Sequence, residues 1–274
     1  MLEVESYRRL AERVVGRRIL RVDAPDPWFL KDGLTQEGVG RALTGRRLAA
    51  ARRRGKQLLL DTAGGPTIGV HFGMTGRLFV DTDPGDVDGL IYGPSRVLPA
   101  WVRFGLALDD DRELEVIDAR RLGAVTLDPD EDRLGPDVAD VDRAQLGAIL
   151  GRSRAPLKAV LMDQERLAGL GNLLTDEALW RGGLHPARPA NELSPAEVGR
   201  LHRAVRDTIR ICGRRGGSHT GDLVPERRPG GICPRTGVPL ERLTVGGRTT
   251  WFSPARQPRD GDARGAPLGA ATGG

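Results

Sequence analysis

Residues 161–186 read LMDQERLAGLGNLLTDEALWRGGLHP, and the fold turns on how this stretch is read. Leu157, Val160 and Leu161 open an apolar helical stretch, which Gly169-Leu170-Gly171-Asn172 interrupts. Leu173, Leu174, Ala178 and Leu179 resume a helical spacing that Gly182-Gly183 and Pro186 close. The pattern predicts helix, tight glycine turn, helix. Two glycines let the backbone take positive φ and come close to a partner. Asn172, at the mouth of the second helix, is expected to cap it while free N–H groups face outward. Such a positive helix end suits a phosphate oxygen. An ordinary helical hairpin with a capping Asn satisfies the same local pattern.

The 274 residues suffice for one large or two modest domains, each with its own core. Lys and Arg number 42 against 37 Asp and Glu, a net charge of +5 that favours polyanions without naming one. Two cysteines, Cys212 and Cys233, make no disulfide scaffold. The start, MLEVESYRRLAERVV, is charged and lacks an apolar signal core, and no apolar run reaches membrane-span length. A cytoplasmic protein with no membrane partner is expected.

Working outward, residues 3–15 carry Val4, Leu10, Ala11 and Val14 at helical spacing and predict an amphipathic helix. A strand at 19–22 and a short helix at 35–42 follow. Strands at 44–50 and 57–62 flank a basic turn, and short strands are expected at 67–73, 76–80, 101–108 and 113–117. This spacing argues for a β-sandwich with one helix packed on it. Residues 142–212 are helical, 216–231 form a loop, and 240–245 with 248–252 make a hairpin around Gly246-Gly247. The expected divisions are a sandwich over 1–135, a helical domain over 136–215, a loop and hairpin over 216–257, and a disordered Gly/Ala/Pro-rich tail over 258–274.

Residues 51–56, ARRRGK, place four cations around a turn glycine between apolar strands, a pattern suited to phosphate. Met74 lies in the glycine-flanked turn of HFGMTGRL, where an apolar side chain can act as a wedge in a base stack. The motif DQ-x(4)-AGLGN-x(3)-DEALW-x(3)-LHP resembles the helix–two-turn–helix of the formamidopyrimidine-DNA glycosylase/endonuclease VIII family, enzymes of base-excision repair. That resemblance implies an α+β fold: an N-terminal β-sandwich with a packed helix, then a helix–two-turn–helix domain ending in a β-hairpin finger, with duplex DNA in the cleft between them. It implies phosphate contacts from Lys56, His71, Asn172 and Arg248. Met74, Arg120 and Leu122 would fill the space left by an extruded nucleotide, Leu122 standing where the family usually has Phe. Ser218, His219 and Thr220 fall in the loop that meets the flipped base.

The resemblance also exposes two departures. The family's C-terminal finger binds zinc through four cysteines, whereas this sequence offers Cys233, Thr236, Ser253 and Arg256 at those positions. A zincless finger without any metal cofactor is expected, with Trp251 and Phe252 packing in place of the metal. Family members begin Pro-Glu after the initiator Met, and the terminal amine attacks the sugar C1′. Here Met1-Leu2-Glu3-Val4-Glu5 matches only the later EVE, leaving Met1 as the amine and Glu3 as the adjacent acid, with Lys56 nearby as a further amine. Either translation starts upstream, or the lyase chemistry is lost. The implied activity is a DNA glycosylase with AP lyase activity on damaged bases in duplex DNA, acting as a monomer. The alternative is a catalytically impaired binder of damaged or abasic DNA.

Overall fold

The computed structural model describes residues 1–84 and 98–259. Residues 260–274, most of the expected disordered tail, lie outside them. The described chain forms two compact units that interleave in sequence. The first comprises Met1–Asp140, Gln164–Leu170 and Ile211–Thr220; the second comprises Val141–Asp163, Gly171–Arg210 and the chain from Gly221 onward. This differs from a division at 135 and 215, because two later segments count with the N-terminal unit.

In the first unit, helix α1 (Leu2–Glu12) is followed by strand β1 (Ile19–Asp23) and helix α2 (Gln36–Leu43). Strands β2 (Leu48–Arg54), β3 (Gln57–Thr62), β4 (Ile68–His71), β5 (Arg77–Val80), β6 (Val102–Leu108), β7 (Glu113–Ile117) and β8 (Ala124–Leu127) complete it. Two antiparallel four-stranded sheets result, ordered β1-β6-β7-β5 and β2-β3-β4-β8. Alternating side chains from both sheets, among them Ile19, Leu58, Leu60, Val70, Leu78, Phe104 and Val116, meet in one apolar core with Val4, Tyr7 and Leu10 of α1. This is the expected sandwich with its packed helix. Tyr7 anchors α1 by donating to the Gly76 carbonyl at 3.2 Å, and its ring lies 4.4 Å from that of Phe72.

Several elements depart from expectation. Strand β2 begins at Leu48, not residue 44, and runs through Arg54, because its arginines find carboxylate and carbonyl partners. Strand β8, four residues long, is too short for a periodicity signal. Helix α1 ends at Glu12, three residues before its predicted end.

The second unit holds α3 (Arg143–Gly151), α4 (Leu157–Met162), α5 (Asn172–Gly182) and residues 195–210 of α6 (Pro195–Arg214), then the hairpin β9 (Glu241–Val245) and β10 (Arg248–Phe252). Asp142 and Gln145 form a reciprocal capping box at the start of α3. Gly183, left-handed at φ 64°, closes α5. The loop at 216–231 contains two 3₁₀ turns, Ser218–Thr220 and Val224–Glu226. No helix among the described residues is long and apolar enough to cross a membrane.

Candidate active site and nucleic-acid interface

The head of α1 gathers the candidate catalytic groups. Met1 precedes the helix and is only 7% exposed, its side chain lying against Gly169. Gly169 has φ +120°, and a Cβ there would stand 2.9 Å from Val138, so only glycine fits. The Met1 amine lies 3.7 Å from the Glu3 carboxylate, and Glu3 Oε1 accepts the Ser218 N–H at 2.8 Å. Burial lowers the amine's pKa, Glu3 opposes that shift, and Lys56 and Arg53 reinforce it. Burial works in the other direction on Glu3, but the terminal ammonium and Ser218 outweigh it and bring its pKa down to about 2. The cluster thus pairs an amine that gives up its proton more easily than an ordinary terminus with a carboxylate that is ionised at neutral pH.

His71 joins the same cluster. Desolvation, then Lys56, then the terminal ammonium lower its pKa, although the residue keeps an exposed edge. Its Nδ1 accepts the Gly73 N–H at 3.2 Å, which leaves Nε2–H as the donor of the neutral ring. Met1, Glu3, Lys56, His71 and the loop residue Ser218 therefore share one neighbourhood. Within that loop, Thr220 donates to the Gly217 carbonyl at 2.8 Å and the His219 ring packs over Gly217.

The basic run 51–56 is not the uniform phosphate-facing tip that its charge suggested. Arg52 pairs with Asp61 at 2.6 Å and with Glu131 at 2.9 Å. Arg53 is clamped by Asp137 at 2.5 Å and by Glu5 at 3.4 Å, and Arg54 donates to the Leu134 carbonyl at 3.1 Å. Asp137 also accepts the Gly55 N–H at 2.7 Å, so this buried carboxylate fixes the turn that presents Lys56. Sequence reasoning missed both Arg53 and Asp137 as positioning residues, since their pairing joins positions 84 residues apart.

Met74, Arg120 and Leu122 are exposed, Met74 by 49% and Leu122 by 43%. Asp118, fully buried, organises all three. Its Oδ1 accepts the Thr75 hydroxyl at 2.5 Å and the Arg120 N–H at 3.1 Å, and its Oδ2 accepts the Leu122 and Gly123 N–H groups at 2.8 Å each. Gly73 abuts the Leu122 backbone, where a Cβ would lie 2.6 Å from Leu122 C, so the two turns are in contact. An Asp followed two to five residues later by exposed backbone donors is an Asx-turn signature, and it could have singled out Asp118.

In the second unit, Asn172 does not cap α5: Gly171 is the N-cap residue and Asn172 opens the helix. Its Nδ2 instead donates to the Thr249 carbonyl at 3.1 Å, next to the exposed Arg248 on the hairpin. A buried ionic cluster braces this arrangement. Lys158 lies 2.7 Å from Asp176, donates to Thr250 Oγ1 at 2.8 Å and to the Thr249 carbonyl at 3.1 Å, and Arg227 donates to Asp176 at 2.8 Å. Asn172 and Arg248 are thereby brought side by side, beside the free N–H groups of α5.

The finger positions form a different site from a metal centre. Cys233 Sγ accepts the Trp180 indole N–H at 3.3 Å. Burial resists ionisation of this thiol, but hydrogen bonds from Ser253, Thr236 and Trp180 outweigh it and lower its pKa to about 6. Arg256 donates to the carbonyls of Trp180 at 2.8 Å and Arg181 at 2.9 Å, satisfying the end of α5. One thiol, two hydroxyls and a guanidinium do not make a tetrahedral zinc donor set. Trp251 packs with Trp180, Leu223, Cys233 and Leu240, and the Phe252 ring meets His185 edge-on at 4.8 Å.

Two family models match the chain: the formamidopyrimidine-DNA glycosylase N-terminal domain over residues 1–125 and the formamidopyrimidine-DNA glycosylase H2TH domain over residues 134–222. The chain belongs to the formamidopyrimidine-DNA glycosylase family. It is 34% identical to the formamidopyrimidine-DNA glycosylase of Chloroflexus aggregans, across 93% of this chain and 97% of that one. To the enzyme of the same name from Symbiobacterium thermophilum it is 35% identical, across 93% and 88%. Among solved structures it resembles the Lactococcus lactis Fpg bound to abasic-site DNA, with TM-score 0.77 and 26% identity over 94% of this chain and 99% of that one. The same protein with FAPY-dG-containing DNA gives a TM-score of 0.78, with 26% identity over the same shares of the two chains.

Proposed function

We propose that this protein is a base-excision DNA glycosylase that acts on damaged bases in duplex DNA and carries an associated AP lyase activity. The observation that carries this reading is the cluster of Met1 amine, Glu3, Lys56 and His71, with Glu3 hydrogen-bonded to Ser218. An amine lone pair attacks C1′, the C1′–N bond to the base breaks, and the departing base takes up a proton. Glu3, as a carboxylate, accepts the proton that the amine loses. The C1′–O4′ bond then opens, O4′ taking up the proton that Glu3 holds, and the Schiff base so formed acidifies C2′–H, whose removal expels the 3′ phosphate and nicks the strand.

Each unit contributes a DNA-contacting surface in this reading. Lys56 and His71 hold phosphates from the first, while Asn172, Arg248 and the start of α5 hold them from the second. Met74, Arg120 and Leu122 occupy the vacated stack, and Ser218, His219 and Thr220 meet the extruded base. The finger folds without zinc.

A second reading is favoured by one observation. The Met1 amine is enclosed and paired with Glu3, so a chain beginning at Met1 holds its nucleophile back from the roughly 3–3.5 Å approach that reaction needs. Such a chain binds damaged or abasic DNA and nicks it slowly. Borohydride trapping on an abasic duplex separates the two. The chain as written is compared with a copy whose start is extended to Met-Pro-Glu. Strong trapping by the extended copy and weak trapping by the other is the expected outcome. Efficient trapping mapped to Met1 would establish the present amine as fully competent, and mapping to Lys56 would move the nucleophile. Failure of both forms to bind or trap would remove the glycosylase reading.

A further inference from the structure

Trp28 is 65% exposed, the most exposed large apolar side chain among the described residues and the sole aromatic in that exposed set. A surface tryptophan loses its large apolar area to water unless something covers it. Its flanks are rigidly held. Phe29, the next residue, is fully buried beneath Gly123, where a Cβ would lie 2.7 Å from its ring. Leu30 bridges to Val125 in parallel, and the Lys31 N–H donates to the Val125 carbonyl at 3.0 Å. On the other side, Asp26 receives Arg121 through both oxygens, at 2.6 and 2.5 Å, and lies 3.6 Å from Arg103. Trp28 is therefore mounted directly on the 118–123 loop that presents Arg120 and Leu122. Burying Phe29 turns the preceding side chain outward.

The surroundings are cationic. Lys31 Nζ lies 4.7 Å from the Trp28 ring centroid, two arginines share the single carboxylate of Asp26, and the exposed Arg120 stands on the same loop. An aromatic face with a cation against it, beside a loop that carries a second exposed one, is a combination that grips an unstacked nucleotide through π-stacking and phosphate attraction. Leu122, by contrast, offers bulk but no ring. We propose that Trp28 stacks on the base of the undamaged strand left without a partner, supplying the aromatic face that Leu122 lacks. The inference rests on the DNA-binding function proposed above.

The full chain is titrated with two duplexes, one carrying a tetrahydrofuran abasic analogue opposite a normal base, the other carrying the analogue on both strands. On the first duplex, Trp28→Ala is expected to weaken binding by at least about fivefold, the lower end of one base–aromatic stack, while Trp28→Phe keeps most of the affinity. On the doubly abasic duplex the Ala variant should bind like the wild type, because no base remains to stack. Acrylamide quenching of Trp28 should fall on binding the first duplex only. Equal affinities of wild type and Trp28→Ala on the first duplex would overturn the inference and leave the DNA-binding function intact. A loss that persists undiminished on the doubly abasic duplex would also overturn it, by assigning the contact to the backbone. If the wild type prefers neither duplex over undamaged DNA, the function itself fails, and this inference with it.

Discussion

Substituting Asp118 tests whether the Met74 turn and the Arg120–Leu122 loop act as one device. Four donors converge on its carboxylate: the Thr75 hydroxyl and the N–H groups of Arg120, Leu122 and Gly123. Asp118→Asn keeps one oxygen, which can still serve the Leu122 and Gly123 pair. The new amide then faces the Thr75 hydroxyl, which can turn round and accept, and the Arg120 N–H, which cannot. Hydrogen bonds to a charged acceptor are worth about 1.5–3 kcal/mol each against about 1 for neutral ones, and a stranded buried donor costs about 1–3. Three bonds weakened by about 0.5–2 kcal/mol each and one donor stranded at about 1–3 sum to a loss of at least about 2.5 kcal/mol. Asp118→Ala should cost as much or more, tempered by water reaching the exposed Arg120 and Leu122 amides. Urea unfolding at constant m-value measures this. In Asp118→Ala, 2-aminopurine opposite an abasic site should lose the signal that Met74→Ala also abolishes, because Thr75 no longer ties the Met74 turn to the Arg120 loop. A variant within 1 kcal/mol of wild type, or one that is destabilised yet keeps the full fluorescence change, would refute the coupling.

Lys56→Ala and Arg248→Ala should each flatten the log K versus log salt slope by about one unit, while Asn172→Ala should weaken binding with little change in slope, since a neutral amide displaces no counterion; fluorescence anisotropy across a salt series reads both. The finger should hold without zinc, so chelators should leave its thermal unfolding unchanged. Arg256→Cys, which superficially restores a ligand, should destabilise it by about 1–3 kcal/mol because two carbonyls at the end of α5 lose their donor. For Glu3, the pKa lowered from 4.5 to about 2 means its contribution is complete above pH 4.5 and is lost as pH falls towards 2. Glu3→Gln should therefore be less stable than wild type by roughly 2–3 kcal/mol at pH 6, with the gap narrowing below pH 4.5 and closing only at about pH 2 and lower in parallel urea titrations.

Much of the scaffold was legible because it is written locally. The glycine-interrupted hairpin before α5, the closing Gly183 and the Gly246-Gly247 turn between β9 and β10 all fall where short-range chemistry puts them. The positions of Met1, Glu3, Lys56 and His71 were found through motif resemblance, and the fold does bring them together. What escaped is what depends on distant partners. The arginines of 52–54 looked like a free cationic tip because nothing nearby in sequence announces Asp61, Glu131 or Asp137. The capping role assigned to Asn172 failed because Gly171 takes the cap position and Asn172 falls inside the helix, where its Nδ2 donates to the Thr249 carbonyl of the hairpin. Lys158 lies within the apolar run from Leu157 to Leu161, and nothing in that run announces its counterion Asp176, which comes from the next helix.

The interleaving of the two units has a consequence for how the chain reaches this state during synthesis. Glu3 is held by Ser218, and the Met1 side chain rests on Gly169. These residues are therefore finished only by segments that leave the ribosome more than 160 and 210 residues after them. Domains usually fold as units from the N-terminus onward, but here the sandwich can collapse early while the head of α1 must wait. A nascent or truncated chain stopping at Asp140 holds every residue of that apolar core but lacks the Gly169 and Ser218 contacts that enclose the amine and its carboxylate. The surroundings of the terminus are in this way completed only when nearly the whole molecule exists, and residues 1–140 alone lack the segments that assemble them.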